Sequence, residues 1–250
     1  MLFAEEVGAG RPLVAVHGFT QTHRSWTPIV ERLGDGIHFT LVDAPGHGAS
    51  GPVRANLWHG AELLGLVGGI AGYLGYSMGA RLCLHLALTR PDLVRNLVLI
   101  GVHPGIPDPG ERARRHCDDE ALAVRLESEG VIAFVDWWLT RPLFATLPAA
   151  AAGVDDRRTN TVAGLASSLR LAGTASQEPL WDRLPELAMP VLIVAGEADT
   201  KFSALGRQTA AAIGTNAELV LIPGAGHACH LERPDAFCLV LADFLADVDH

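Results

Sequence analysis

Six short apolar runs, most of them closed by a glycine, a proline or a polar turn residue, constrain this chain more than any other feature. They are Leu13–Val16, Phe39–Val42, Tyr73–Leu74, Leu97–Ile100, Val191–Val194 and Leu219–Ile222. None alternates apolar with polar, so none suits a strand with one wet face. Continuous apolar runs fit parallel strands covered by helices on both sides. The stretches between them read as helices. Met78–Thr89 is apolar on more than one side and stops before Pro91, as a buried helix does. Pro234–Ala246 reads as a terminal helix with proline in its first turn. Leu63–Ala80 carries no charge over 18 residues, close to the length of a membrane span, but six of its positions are glycine. It reads instead as a buried helix followed by a buried strand.

The pattern predicts an α/β fold with a mostly parallel sheet. It breaks between residues 106 and 178, where no convincing strand appears. ERARRHCDDEALAVRLESEG and VIAFVDWWLTRPLF both look helical. This stretch is expected to form a helical cap (106–178) inserted into a core made of residues 1–105 and 179–250. It would cover the carboxyl edge of the sheet, where open α/β sheets bind ligands. No repeat at solenoid spacing is present.

The 250 residues are 49% apolar and 19% charged, which supports one sizeable core and excludes wholesale disorder. Nineteen Lys and Arg against 28 Asp and Glu leave a net charge of −9, the wrong sign for a nucleic-acid or anionic-membrane binder. Only one basic residue, Lys201, is a lysine. Four cysteines (Cys83, Cys117, Cys229, Cys238) form no CxxC pair and read as free thiols of a reducing compartment. With no signal-peptide pattern in MLFAEEVGAG, a cytoplasmic protein is expected.

Gly75-Tyr76-Ser77-Met78-Gly79 is a G-x-S-x-G motif between a strand candidate and a helix candidate. Small residues flank such a serine because the turn is sharp and the chain approaches itself. Asp199 follows the run at Val191–Val194, and His227 follows the run at Leu219–Ile222. Ser77, Asp199 and His227 therefore each follow a strand, in the order of a Ser–Asp–His triad. In that arrangement His227 takes the serine proton and Asp199 fixes its tautomer. The amides of Met78 and of Phe19, in the His17-Gly18-Phe19 loop, would form an oxyanion hole. Competing residues are weaker. His230 and Glu232 begin the next helical stretch, Asp43 precedes a Pro-Gly turn, and Asp108 is an alternative acid. His17, His47, His85 and His103 show no metal-ligand spacing and read as core or turn histidines.

The segments HGF (17–19), DAPGHG (43–48), GYSMGAR (75–81), AGEADTKF (195–202) and GAGHACH (224–230) resemble the α/β-hydrolase superfamily across nearly the whole chain. More narrowly, Tyr76, Arg81, FVDWWLTRPLF (134–144) and ADTKF resemble the 2-succinyl-6-hydroxy-2,4-cyclohexadiene-1-carboxylate synthase family of menaquinone biosynthesis. Two features depart from it: Ala44 stands where a bulkier residue is usual, and the strand before the elbow is unusually glycine-rich.

The resemblance implies a lyase that eliminates pyruvate, with no cofactor and no metal. It implies Ser77, Asp199 and His227 as the triad and Arg81 as a ligand of a substrate carboxylate. Tyr76, Trp137 and two cap arginines, Arg114 and Arg158, would join the pocket. Arg112 or Arg115 could replace Arg114, Arg157 could replace Arg158, and Trp137 and Trp138 could equally be core aromatics. The expected partner is a small polycarboxylate, held by locally concentrated guanidiniums in an acidic protein. Oligomeric state is open. Competing functions are a serine esterase or C–C bond hydrolase using an acyl-enzyme on Ser77, a cofactor-free perhydrolase variant of it, and a ligand-binding receptor on the same scaffold.

Overall fold

The apolar runs become strands of one seven-stranded sheet, in the order β1-β3-β2-β4-β5-β6-β7, in a computed structural model describing residues 1–34 and 36–248. The strands are β1 (Ala4–Gly8), β2 (Gly10–Val16), β3 (Gly36–Val42), β4 (Ala71–Tyr76), β5 (Val94–Ile100), β6 (Val191–Gly196) and β7 (Ala217–Ile222). The pairs from β3 to β7 are parallel, and only β1 runs antiparallel, against β3. β1 was not foreseen, because AEEVG carries two glutamates and no apolar run. It is an edge strand, so Glu5 and Glu6 reach solvent, and Thr40 donates its hydroxyl back to Glu6.

The helices are α1 (Thr27–Leu33), α2 (Leu57–Gly68), α3 (Met78–Thr89), α4 (Pro109–Trp138), α5 (Val154–Arg157), α6 (Val162–Ala172), α7 (Thr200–Ile213), α8 (Cys229–Glu232) and α9 (Pro234–Asp247). They cover both faces of the sheet, which explains the missing alternation. On β5, Leu97 and Leu99 join the core beneath α2 and α3, while Val98 and Ile100 join the core beneath α1 and α9. Successive side chains point to opposite faces, and both faces are dry. Truncating one of these leucines to alanine costs about 2–5 kcal/mol.

Between β5 and β6 the chain is helical. α4 is interrupted at Gly130, whose φ of 80° and ψ of 168° break the helix between the two segments read from the sequence. A separate small core of Ala123, Leu126, Phe134, Leu165, Ala166 and Leu169 ties α4 to α6. Among the described residues, no helix is long and apolar enough to cross a membrane.

Candidate active site

Ser77 sits between β4 and α3 with φ 52° and ψ −103°, a left-handed conformation that a non-glycine residue adopts at a cost. The turn closes so tightly that a Cβ at Gly75 would lie 2.5 Å from the Ala80 nitrogen, and one at Gly79 would run into the Val16 carbonyl. The Ser77 amide donates to the Ile100 carbonyl at 2.8 Å, anchoring the turn to β5. Met78 opens α3, so its amide is one of the helix's unsatisfied N-terminal donors.

Asp199 and His227 come to this turn from the ends of β6 and β7. His227 Nε2 lies 3.2 Å from Ser77 Oγ, and its Nδ1 lies 2.9 Å from Asp199 Oδ2. The carboxylate assigns the proton to Nδ1, leaving Nε2 to accept from the serine hydroxyl. Asp199 is held in turn, because its Oδ1 accepts the Phe202 amide at 3.1 Å and caps α7. The imidazole is buried against the rings of Phe202 and Tyr76, with centroids 4.3 and 5.4 Å away. Asp108 instead caps α4 by accepting the Glu111 amide at 2.6 Å. Asp43 is wholly buried and accepts the backbone amides of His23 and Ala49 and the His23 ring, all at 2.8 Å. Burial pushes the Asp43 carboxyl up, but the His23 hydrogen bond and the nearby His17 leave it below its ordinary value.

The loop after β2 is pinned from several sides. Gly18 donates its amide to Gln21 Oε1 at 2.9 Å, and Thr20 donates its amide to His47 Nε2 at 3.2 Å. The Phe19 amide between them has no partner within the protein among the described residues. His17 takes the Ala44 amide on Nε2 at 3.1 Å, and its Nδ1 lies 2.8 Å from the Gly18 carbonyl. Burial, reinforced by His17, pushes the His47 imidazole down to about 3, so it serves as a neutral brace. Residues beyond α4 reach the same loop. Arg157 donates to the Phe19 carbonyl at 3.3 Å, and Asn160 donates to the Thr20 carbonyl at 2.7 Å.

A cavity of about 180 Å³ opens above Ser77 and His227. Phe19, Met78 and Arg81 line it, with Arg115, Trp138, Leu143, Lys201, His103 and Phe202 around them. Arg81 lies one helical turn beyond Ser77 and is buried, and its guanidinium donates to the Ala172 carbonyl at 2.8 Å. Burial lowers it to about 10, opposed by Asp119, so it stays cationic at neutral pH. Arg115 pairs with Asp119 at 2.7 Å, and burial pushes His103 down to about 4, leaving it neutral. Arg81, Arg115 and Lys201 thus outnumber the one carboxylate, Asp119, around the cavity.

Four expected pocket residues lie elsewhere. The Tyr76 ring belongs to the core on the far face of the sheet, 4.4 Å from the His230 ring, because alternation along β4 turns it away from α3. Arg114 is solvent-exposed, and its neighbour Arg115 enters the cavity. Trp137 is clasped between Arg125 and Arg141 in an outer cleft, with guanidinium-to-ring distances of 3.9 and 5.0 Å, while Trp138 faces inward. Arg158 pairs with Asp136 at 2.7 Å on the surface side. Arg115 was offered only as an alternative to Arg114, and Trp138, His103 and Lys201 were not singled out for the pocket. A helical stripe could have found two of them. Positions 115, 119, 122 and 126 share one face of α4 with buried Asp119 and Leu126, and Trp138 follows buried Phe134 by four residues.

A family model described as the alpha/beta hydrolase family matches residues 13–238. The 2-succinyl-6-hydroxy-2,4-cyclohexadiene-1-carboxylate synthase of Klebsiella pneumoniae is 32% identical, spanning 98% of this chain and 100% of its own length. The synthase of the same name from Serratia proteamaculans is 30% identical over 96% and 95%. The solved structure of MenH from S. aureus superimposes with a TM-score of 0.91 at 30% identity, covering 99% of both chains.

Proposed function

The chain belongs to the alpha/beta hydrolase family, and on that premise we propose that it is a lyase of menaquinone biosynthesis. The reaction converts 2-succinyl-5-enolpyruvyl-6-hydroxy-3-cyclohexene-1-carboxylate into the 2-succinyl-6-hydroxy-2,4-cyclohexadiene-1-carboxylate named in its relatives, with loss of pyruvate. Ser77 acts as a base, not as an acylated nucleophile. His227 draws the hydroxyl proton, and Asp199 stabilises the imidazolium that forms. The activated Ser77 oxygen removes the proton at ring carbon 2, beside the succinyl carbonyl. That electron pair forms the C2–C3 double bond, the existing double bond moves to C4–C5, and the C5–O bond breaks. The departing enolate takes a proton and becomes pyruvate. The Phe19 and Met78 amides hold the charge that develops on the succinyl oxygen.

One observation carries this reading over ester hydrolysis. Arg81 is buried beside Ser77 with no carboxylate in ion-pair contact among the described residues, and its one hydrogen bond goes to a neutral carbonyl. A desolvated guanidinium facing a reaction cavity calls for an anionic ligand. Arg115 and Lys201 extend that demand to a substrate with several carboxylates. Residues 106–178 act as the cap that brings Arg115 and Trp138 over a core of 1–105 and 179–250. The four free cysteines support a reducing, cytoplasmic setting. The test is pyruvate release from the enolpyruvyl substrate by purified protein. Release above a Ser77→Ala control supports the lyase. Its absence, together with a burst of alcohol from a short ester, would instead favour an acyl-enzyme hydrolase.

A further inference from the structure

Arg157 is the most completely buried charge in the described chain that lacks an ion pair in contact. It is 1% exposed, and its three bonded acceptors are neutral: Ala152 O, Phe19 O and the Thr20 hydroxyl. No carboxylate pairs with it among the described residues. Its Nη2 is buried with no acceptor at all. Burial lowers its pKa to about 10, so it remains charged at neutral pH. A guanidinium in this state is costly unless something anionic meets it.

Two more donors face the same lack. Gln21 accepts the Gly18 amide on Oε1, which fixes the carboxamide orientation and leaves its buried Nε2 without an acceptor. Ser25 Oγ is likewise buried and unpartnered. Arg157, Gln21 and Ser25 line one cavity of about 140 Å³, which shares no lining residue with the cavity above Ser77. The one carboxylate in that lining, Asp156, attracts the Arg157 guanidinium from beyond ion-pair contact and accepts the Thr22 hydroxyl at 2.7 Å, and Arg24 contributes a second positive charge that leaves the lining net cationic.

We propose that Arg157, Gln21 and Ser25 form a binding site for one small monovalent anion, a halide or a small carboxylate. Such an ion accepts from all three donors and neutralises the guanidinium, which a water molecule cannot do. The cavity has room for a single ion of this class with a few waters. The same guanidinium holds the Phe19 carbonyl through Nη1, so an occupied site braces the loop that carries the Phe19 amide.

Bromide serves as the probe, with formate as the carboxylate arm and gluconate, too large for the cavity, as the reference anion at constant ionic strength. With bromide at about ten times its dissociation constant, the melting temperature is expected to rise by about 3 °C. Anomalous diffraction from bromide-soaked crystals is expected to show a peak within hydrogen-bond distance of Arg157 Nη2. A similar rise in formate assigns the site to small carboxylates, and a rise in bromide alone assigns it to halides. Gln21→Glu supplies the missing negative charge from the chain. It should melt higher than the parent in gluconate and lose the bromide response, and Ser25→Ala should weaken bromide binding several-fold. The proposal is overturned by a bromide-free site, or by equal bromide responses in the parent, Gln21→Glu and Ser25→Ala proteins. Melting and diffraction report on this site whether or not pyruvate is released.

Discussion

The Glu232 carboxylate brackets His227. It accepts the Gly226 amide at 2.7 Å and the Ala228 amide at 3.1 Å, fixing the peptide groups on either side of the imidazole. Glu232 is itself 5% exposed, so these charge-assisted bonds act in a largely dry setting. Removing the side chain leaves two buried donors unsatisfied. Glu232→Ala is expected to destabilise the protein by about 2–4 kcal/mol. By loosening the imidazole, it should also lower kcat about tenfold or more with little change in KM. Glu232→Gln keeps one acceptor and should recover part of both losses. Thermal melts and steady-state pyruvate release measure the two effects, and a wild-type kcat in Glu232→Ala would refute the positioning role.

The strain at Ser77 can be read directly. Its φ of 52° suits glycine, so Ser77→Gly is expected to raise the melting temperature by about 2 °C while abolishing activity. Ser77→Ala removes the hydroxyl but keeps the Cβ strain, and should melt near the parent. Equal melting of both variants would show that the elbow is relaxed around its serine.

Side-chain direction on α4 separates two adjacent arginines. Arg115→Ala should raise KM for the polycarboxylate about tenfold, because Arg115 lines the cavity. Arg114→Ala should leave KM within about twofold, since Arg114 is exposed. Arg81→Met removes the buried cavity arginine that has no carboxylate in ion-pair contact, and should raise KM about a hundredfold or more. The Arg81→Met fold should remain as stable as the parent, since a desolvated charge is replaced by an apolar side chain. Steady-state kinetics on the three variants check the ranking.

Buried histidines set the acid limit. Burial brings His47 and His230 down to about 3 and His85 and His103 down to about 4, against an ordinary value of 6.5. A lowered folded value means that the unfolded chain binds protons first as pH falls. The stability these groups contribute is complete above 6.5 and is lost as pH drops from 6.5 toward 4. Asp43, held below 3.8, adds a loss of the same sign at still lower pH. His23 runs the other way, because its bond to Asp43 raises it. Its contribution is complete below 6.5 and fades as pH rises through the raised value. Melting temperature should therefore fall steeply from pH 6.5 to pH 4. Neither ring nitrogen of His230 has a partner among the described residues. His230→Phe should therefore stabilise the fold by about 1 kcal/mol at pH 7 and by more at pH 5. A gain that does not grow on acidification would contradict this assignment.

Order along the chain and local chemistry were legible from the residues alone. Unbroken apolar runs imply strands that are dry on both faces. Glycines around Ser77 imply a turn too tight for a Cβ, and an acid and a histidine after later strands imply arrival at one sheet edge. The helix break at Gly130 falls between the two segments read from the sequence. β1 escaped notice because an edge strand needs no apolar run. What neighbouring residues do was decided by packing. Consecutive side chains on a helix point about 100° apart, so Arg114 and Arg115, or Trp137 and Trp138, face different surroundings. Which member of each pair meets the cavity depends on how α4 and α6 dock through Leu126, Phe134, Leu165 and Leu169. Tyr76 shows the same division on a strand. Its place beside Ser77 is local, but its ring turns to the opposite face of the sheet because alternate residues of β4 must serve two cores.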